Sequence, residues 1–378
     1  MSTPTARPPA SVVLAGGGTT GHVAPLLATA EALRTRHPGT RVTVLGTREG
    51  LESRLVPAAG LDLRHVPRVP LPRRPSGDLV RLPVRLTRAV RGVRRVLDEV
   101  DAHVVVGFGG YVATPAYLAA RRAHVPVVVH EQNALPGVAN KLGARLTRHV
   151  AVTFPGTPLP HAVVLGMPLR RAITELDRPA LRAEGRAAFG LHPDLPTLLV
   201  TGGSLGAQRL NEAVPRAASA LAAAGLQVLH VSGRGKHVPL PPGTTADPSS
   251  PPDGPRYVVV DYVERMDLAY AAADAVVCRA GAGTVCELAA LGLPAAYVPL
   301  PVGNGEQRLN AQPLVAAGGG LLVDDEEFTP EWVTTTLLPV LRDPAQLLDM
   351  AAAARSFGTL DAAGRLADLV LDAAREAP

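Results

Sequence analysis

The chain has 378 residues, 47% hydrophobic and 19% charged, enough for two domains of ordinary size with a substantial packed core. Its formal net charge of +5 suits acidic partners such as nucleotides or anionic lipid surfaces. Two cysteines, Cys278 and Cys286, with no CxxC pair, exclude a disulfide scaffold and a zinc ribbon. The first ten residues hold no apolar run of the kind a secretory signal needs. The apolar stretch 288–302 is broken by Pro294, Pro299 and Pro301 and falls short of a membrane span.

Short apolar runs alternate with longer stretches of helical spacing. Strands are predicted at 11–15, 41–45, 104–106, 125–130 and 150–152, with helices at 25–36, 79–97, 115–122 and 138–147. The pattern then restarts, with strands at 197–201, 227–231, 257–260, 275–278 and 295–298 and helices at 209–224, 266–272 and 283–291. Such alternation implies parallel sheets covered on both faces. The fold class is α/β, with two Rossmann-like domains facing across a cleft. The expected division is 1–165, 166–343 and a helical stretch 344–378 that packs back toward the first domain. The segment 239–255, rich in Pro, Ser and Gly, reads as a loop inside the second domain.

Each series opens with a strand and a glycine loop. The first, "VVLAGGGTTGH", has the spacing Gly16-x-Gly18-x-x-Gly21 of a dinucleotide fingerprint. A dinucleotide site also wants an acidic residue closing the second strand, where this chain has Thr47 and Arg48. His22, directly after the last glycine, is equally foreign to such a loop. A phosphate or pyrophosphate held for another purpose fits better, because glycines let backbone approach oxygen atoms and a helix N-terminus favours an anion. The second loop, "TGGSLGA", offers Gly202, Gly203 and Ser204 at another helix start. Two such loops suggest two phosphorylated ligands.

Three polar clusters follow. In "CRAGAGTVCELAALGLP", small residues precede a helix that carries Glu287 in its first turn or so, where a carboxylate can accept both ribose hydroxyls. "GNGEQRLNAQ" concentrates amides and carboxylates suited to sugar hydroxyls, and "HEQN", His130 to Asn133, sets two titratable groups at a strand's carboxyl end. A bland alternative stands beside each: a dipole-favouring Glu, an ordinary polar loop, a capping Asn. Segment 71–96 holds eight Arg and one acid, with Leu79, Leu82, Leu86, Val90 and Val93 at helical spacing. A basic helix with an apolar stripe suits an anionic membrane, whereas a solvated Arg face over a core stripe is the plain reading. Without interleaved aromatics or a recognition motif, it does not read as a nucleic-acid surface. No serine-hydrolase elbow, HExxH, Walker loop, EF-hand or Asp-x-Asp clip occurs.

Taken in order, "GGGTTGH", "GFGGYVATP", "HEQN", "GMPLR", "GGSLGAQRLN", "CRAGAGTVCELAALGLP" and "GNGEQRLNAQ" resemble the MurG family of peripheral-membrane N-acetylglucosaminyltransferases. The resemblance runs from Gly16 to Gln312 and has an actinobacterial flavour. It implies the GT-B fold and inverting transfer from UDP-N-acetylglucosamine to the muramyl 4-hydroxyl of lipid I, giving lipid II, at the cytoplasmic face of the membrane. It implies no cofactor and no metal, with a polyprenyl-pyrophosphate acceptor as partner and 71–96 on the anionic membrane surface. Carried over, the donor would be met by Thr19, Thr20, Gly21, Asn133, Arg170, Ser204, Val263, Ala282, Gly283, Thr284, Val285, Glu287 and Gln307. The acceptor would be met by Gly17, Gly18, Tyr111 and His130. His22 or Glu131 would serve as the catalytic base. Thr20, Met167, Leu205, Gln208 and Glu306 depart from the family's usual residues. These departures suit either a divergent member or a paralogue acting on another polyprenyl or natural-product acceptor. A 2-epimerase of the same fold, a nicotinamide oxidoreductase and a non-catalytic nucleotide-binding protein are the other readings.

Overall fold

The computed structural model describes residues 10–69, 78–203, 207–241 and 253–376. It divides into two units, 1–170 with 361–378, and 171–360.

The first unit is a parallel sheet in the order β3-β2-β1-β4-β5-β6-β7. Its strands are β1 Ser11–Gly16, β2 Arg41–Gly46, β3 Asp62–His65, β4 Val104–Gly109, β5 Val127–Glu131, β6 His149–Val152 and β7 Ala162–Val164. The central strands are apolar over most of their length because both faces are covered. Along β1, Val13 and Ala15 face one layer with Val90, Val93 and Tyr117, while Val12 and Leu14 face the other with Leu26, Leu33, Leu366 and Val370. The strand order reverses between β1 and β4, and ligands of open α/β sheets bind outside the carboxyl ends at such a point.

The second unit repeats the plan in the order β10-β9-β8-β11-β12-β13. Its strands are β8 Thr197–Thr201, β9 Gln227–Val231, β10 Tyr257–Val260, β11 Ala275–Cys278, β12 Ala295–Tyr297 and β13 Gly320–Leu322. Its reversal lies between β8 and β11, with Leu198, Val200, Val228 and Val277 in the core.

Two helices start five residues before their expected proline. The helix Thr20–Arg36 contains Pro25, and Gly110–Ala123 contains Pro115. Proline is favoured in a first turn, but it removes only one helical donor. The expected C-terminal stretch is split. Helix Pro344–Phe357 belongs to the second unit, packed on helix Ala282–Leu291, while Ala362–Arg375 belongs to the first unit and covers its sheet. The apolar stripe of helix Asp78–Glu99 also divides. Val90 and Val93 are core residues, Leu82 and Leu86 are half-buried, and Val84 is 64% exposed. Residues 71–77, most of loop 239–255, and Ser204 and Leu205 lie outside the described residues, as do the side chains of 78–81. No helix is long and apolar enough to cross a membrane among the described residues.

Candidate active site

In the first unit the glycine loop joins β1 to helix Thr20–Arg36. Thr19 is the N-cap, but its side chain makes no capping bond; its Oγ1 lies 3.0 Å from His22 Nδ1 instead. The imidazole is therefore oriented from one side, with its Nε2 toward Gly109. A Cβ on Gly109 would come within 3.1 Å of that nitrogen. Gly110 packs directly on the loop, since a Cβ there would lie 2.6 Å from the Gly17 carbonyl. Both glycines have φ values, +93° and +77°, that L side chains rarely adopt. Two helix N-termini, at Thr20 and at Gly110, thus sit side by side at the carboxyl ends of β1 and β4. The positive ends of their dipoles make an anion-favouring corner.

His22 is half-buried. Burial pushes its pKa below the ordinary value, against weaker opposing effects of the Gly17 backbone and Glu52. Tyr111, 38% exposed, lies beside Gly18, with the Arg68 guanidinium 4.5 Å above its ring. Such a stack presents cationic charge at the rim of the corner.

Glu131 ends β5 and is 2% exposed. Its Oε1 accepts from the Asn133 amide, and its Oε2 accepts from the Gly137 amide and Asn140 Nδ2, each at 3.0 Å. Burial raises its pKa, and these donors pull it back. Its oxygens are engaged in shaping 133–140, and Asn133 takes its position from them.

His130, carried over as an acceptor contact, lies inside the first unit. It is fully buried, with Nε2 3.0 Å from the Gly166 carbonyl and Nδ1 3.0 Å from Gln132 Nε2. Burial lowers its pKa to about 4, so the ring is neutral. A residue at the carboxyl end of a strand can point into the core as easily as into the site, and the Gly166 carbonyl and the Phe108 ring hold His130 in the core.

Gly18 is exposed at the loop's tip. Its amide donates inward, to Glu52 Oε2 at 2.9 Å, and is committed there. Glu52 had no signal in the sequence beyond following the second strand by six residues.

In the second unit, Gly203 has φ +76°, and the helix Gln208–Arg216 follows the second glycine loop. Helix Ala282–Leu291 starts at the carboxyl end of β11 with Gly281 as N-cap and no side-chain capping bond. Ala282 and Val285 are buried, whereas Gly283 and Thr284 are half-buried. Glu287 lies in the second turn rather than the first, which removes the dipole-favouring reading. Its Oε2 accepts from the Tyr270 hydroxyl at 2.8 Å. Val263 follows β10 and is buried. The neighbouring Tyr262 ring carries Arg234 at 4.1 Å.

Gln307 stands in the first turn of helix Glu306–Ala316, and its Oε1 accepts from the Leu300 amide at 2.9 Å. Asn310 Nδ2 reaches the Ala280 carbonyl at 3.4 Å, which joins this helix to the loop before Ala282. The pair Arg279 and Asp325 also escaped the sequence reading. Arg279 Nη1 lies 2.5 Å from Asp325 Oδ1 and donates to the Val298 and Pro299 carbonyls at 3.1 Å. It thereby ties the loops after β11, β12 and β13. Arg170, at the end of the first unit, is exposed. Among the described residues no group of three or more His, Cys, Asp or Glu is placed to hold a metal ion.

Comparison with known proteins agrees with this layout. Residues 12–152 match the glycosyltransferase family 28 N-terminal domain, and residues 197–366 match the glycosyltransferase family 28 C-terminal domain. A UDP-N-acetylglucosamine–N-acetylmuramyl-(pentapeptide) pyrophosphoryl-undecaprenol N-acetylglucosamine transferase of Streptomyces avermitilis is 57% identical over 96% of this chain and 98% of its own. The protein of the same description from a Mycobacterium species is 58% identical over 97% and 96%. Among solved structures, MurG of Acinetobacter baumannii superposes with a TM-score of 0.75 at 31% identity, covering 96% of this chain and all of its own. The kitacinnamycin glycosyltransferase, at 18% identity and a TM-score of 0.67, shares the fold. The two Rossmann-like units are those of the GT-B fold, and the chain belongs to the MurG family within glycosyltransferase family 28.

Proposed function

We propose that this protein transfers N-acetylglucosamine from UDP-N-acetylglucosamine to the 4-hydroxyl of the muramyl sugar of lipid I, giving lipid II, with inversion at the anomeric carbon. The observation that carries the reading is the packing of Gly17 against Gly110. It sets two helix N-termini beside His22 at the β1–β4 reversal of a MurG-family chain. That corner suits the acceptor's pyrophosphate, with Tyr111 and Arg68 at its rim, while the family resemblance assigns Thr19, Thr20 and Gly21, at the N-cap and helix start, to the donor.

His22 is the base in this account. Its depressed pKa keeps it neutral at physiological pH, and its Nε2 is directed away from Thr19. Glu131 holds the adjoining loop. Donor recognition falls to the second unit: Glu287 accepts from the ribose hydroxyls, Val263 meets the uracil through backbone, and Ala282, Gly283 and Thr284 bring a helix N-terminus to the diphosphate. Gln307 addresses the sugar, and the family resemblance assigns Ser204 and Arg170 to the diphosphate. Charge developing on departing UDP is met by these fixed dipoles.

A lipid acceptor places the work at the cytoplasmic face of the membrane. On helix Asp78–Glu99 the exposed residues Val84, Arg88, Arg91 and Arg95 share one face, which supports docking on anionic lipid. The test is product analysis after incubation with UDP-N-acetylglucosamine and a lipid I analogue. A β-linked disaccharide on the lipid is expected. Release of free N-acetylglucosamine with the acceptor unchanged would overturn the reading.

A further inference from the structure

The side chain of Glu52 is fully buried although no cation pairs with it among the contacts described. It is the first residue of helix Glu52–Ala58, beyond β2, and it reaches across to the loop after β1. Oε2 accepts from the Gly18 amide at 2.9 Å; Oε1 accepts from the Thr47 amide at 2.8 Å and Thr47 Oγ1 at 2.9 Å. Burial alone would raise its pKa, but these donors outweigh that and hold it below the ordinary value, so the group is an anion.

Three glycines make its space. A Cβ on Gly17 would lie 2.5 Å from Oε1, one on Gly46 2.5 Å from Cγ, and one on Gly50 2.0 Å from Oε2. A chain that forgoes side chains at three positions to seat one carboxylate uses that carboxylate to define backbone. In a dinucleotide site the loop amides stay open for the ligand's pyrophosphate. Here the Gly18 amide is satisfied from below before any ligand arrives, and an incoming anion is left to the first helical turn. His22 is four residues further along the same loop and helix start.

We propose that Glu52 is a positioning residue for the transfer: its carboxylate fixes the 16–22 backbone in the shape that receives the acceptor and sets the place of His22. This rests on the reading of that loop as the acceptor's site. The ordering entropy of the loop is met during folding rather than on binding, which is preorganisation in the ordinary sense.

The test compares Glu52→Gln, Thr47→Val and Tyr111→Ala in full-length protein, by steady-state kinetics on UDP-N-acetylglucosamine and a lipid I analogue. Hydrogen exchange of the peptide 12–25 and Tm accompany the kinetics. Glu52→Gln replaces one acceptor oxygen with a donor that faces another N–H. It is expected to lower acceptor kcat/KM by at least about tenfold, leave donor KM within about twofold, and speed exchange in 12–25. Thr47→Val removes one hydrogen bond with little change of shape and is expected to give a smaller fall of the same pattern, about two- to fivefold. It keeps the test alive should Glu52→Gln fail to fold. Unchanged acceptor kinetics in a folded Glu52→Gln, or in Thr47→Val alone where Glu52→Gln is unfolded, overturns the inference. So does a loss shared equally by donor and acceptor. If Tyr111→Ala also leaves the acceptor untouched, it is the acceptor reading of the loop that has failed.

Discussion

The Tyr270 hydroxyl donates to Glu287 Oε2 at 2.8 Å, across the space between helices Met266–Ala272 and Ala282–Leu291. One carboxylate oxygen is thereby held, and the group is aimed rather than left to rotate. If Glu287 takes the ribose hydroxyls, Glu287→Ala should raise donor KM by about tenfold or more, and Tyr270→Phe by a smaller factor of about three. An unchanged donor KM in both would remove Glu287 from the donor site.

A base with a depressed pKa leaves its mark on pH dependence. If His22 is the base, it must be neutral to accept the proton, and burial moves its titration below 6.5. Activity therefore persists as pH falls through 6.5 and is lost only below it. His22→Gln should lower kcat by a factor on the order of 10²–10⁴, abolish that acid limb and leave Tm nearly unchanged. A limb that survives the substitution belongs to another group.

Glu131 should behave in the opposite way. Glu131→Gln sets an amide NH₂ against at least one of the N–H donors around it, and the fold should lose about 1–3 kcal/mol. Activity should fall together with Tm. Full thermal stability combined with a loss of kcat as large as that of His22→Gln would make Glu131 the base.

How much of this was legible depends on burial. Strands β8, β9, β10 and β11 coincide with their predicted ranges because each is a short, β-branched, mostly apolar run with helical or polar sequence on either side. The edge strands β3 and β7 went unread: β3 is mostly polar, with Asp62, Arg64 and His65 exposed, and β7, though apolar, is three residues long and exposed throughout. The glycine loops announced themselves by spacing, but the direction of a side chain at a loop does not follow from spacing. His130 and Glu52 show this from both sides. One looked available and lies in the core; the other had no motif around it and holds the loop.

Two buried histidines tie stability to pH. His130 and His230 have pKa values lowered to about 4 by burial, against 6.5 for an open chain. The unfolded chain takes up their protons as pH falls through 6.5, and the folded protein resists until about 4. Stability should therefore drop between those values and level off below, by an amount on the order of 1–3 kcal/mol for each histidine. His230 is held by Tyr257 and Asn211, at 2.6 and 3.0 Å. His230→Gln should lower Tm at pH 7 yet flatten its slope between pH 6.5 and 4.5; an unaltered slope would contradict the linkage.

Membrane docking can be separated from folding on helix Asp78–Glu99. Val93 is a core residue, and a polar residue there should unfold the first unit. Arg88 and Arg91 are exposed, and each basic residue near an anionic surface is worth about 1 kcal/mol. Reversing both to Glu should weaken binding to phosphatidylglycerol vesicles by at least about tenfold, with Tm unchanged, and the defect should fade in neutral vesicles. Binding that survives the reversal would assign this face to solvent.

The most direct measurement of the central claim is the rate of UDP release from UDP-N-acetylglucosamine with and without a lipid I analogue. The account expects release to depend on the acceptor, saturate with it, and match lipid II analogue formed one for one. Release at the same rate without acceptor, or donor binding with no release when lipid I is present, would contradict it.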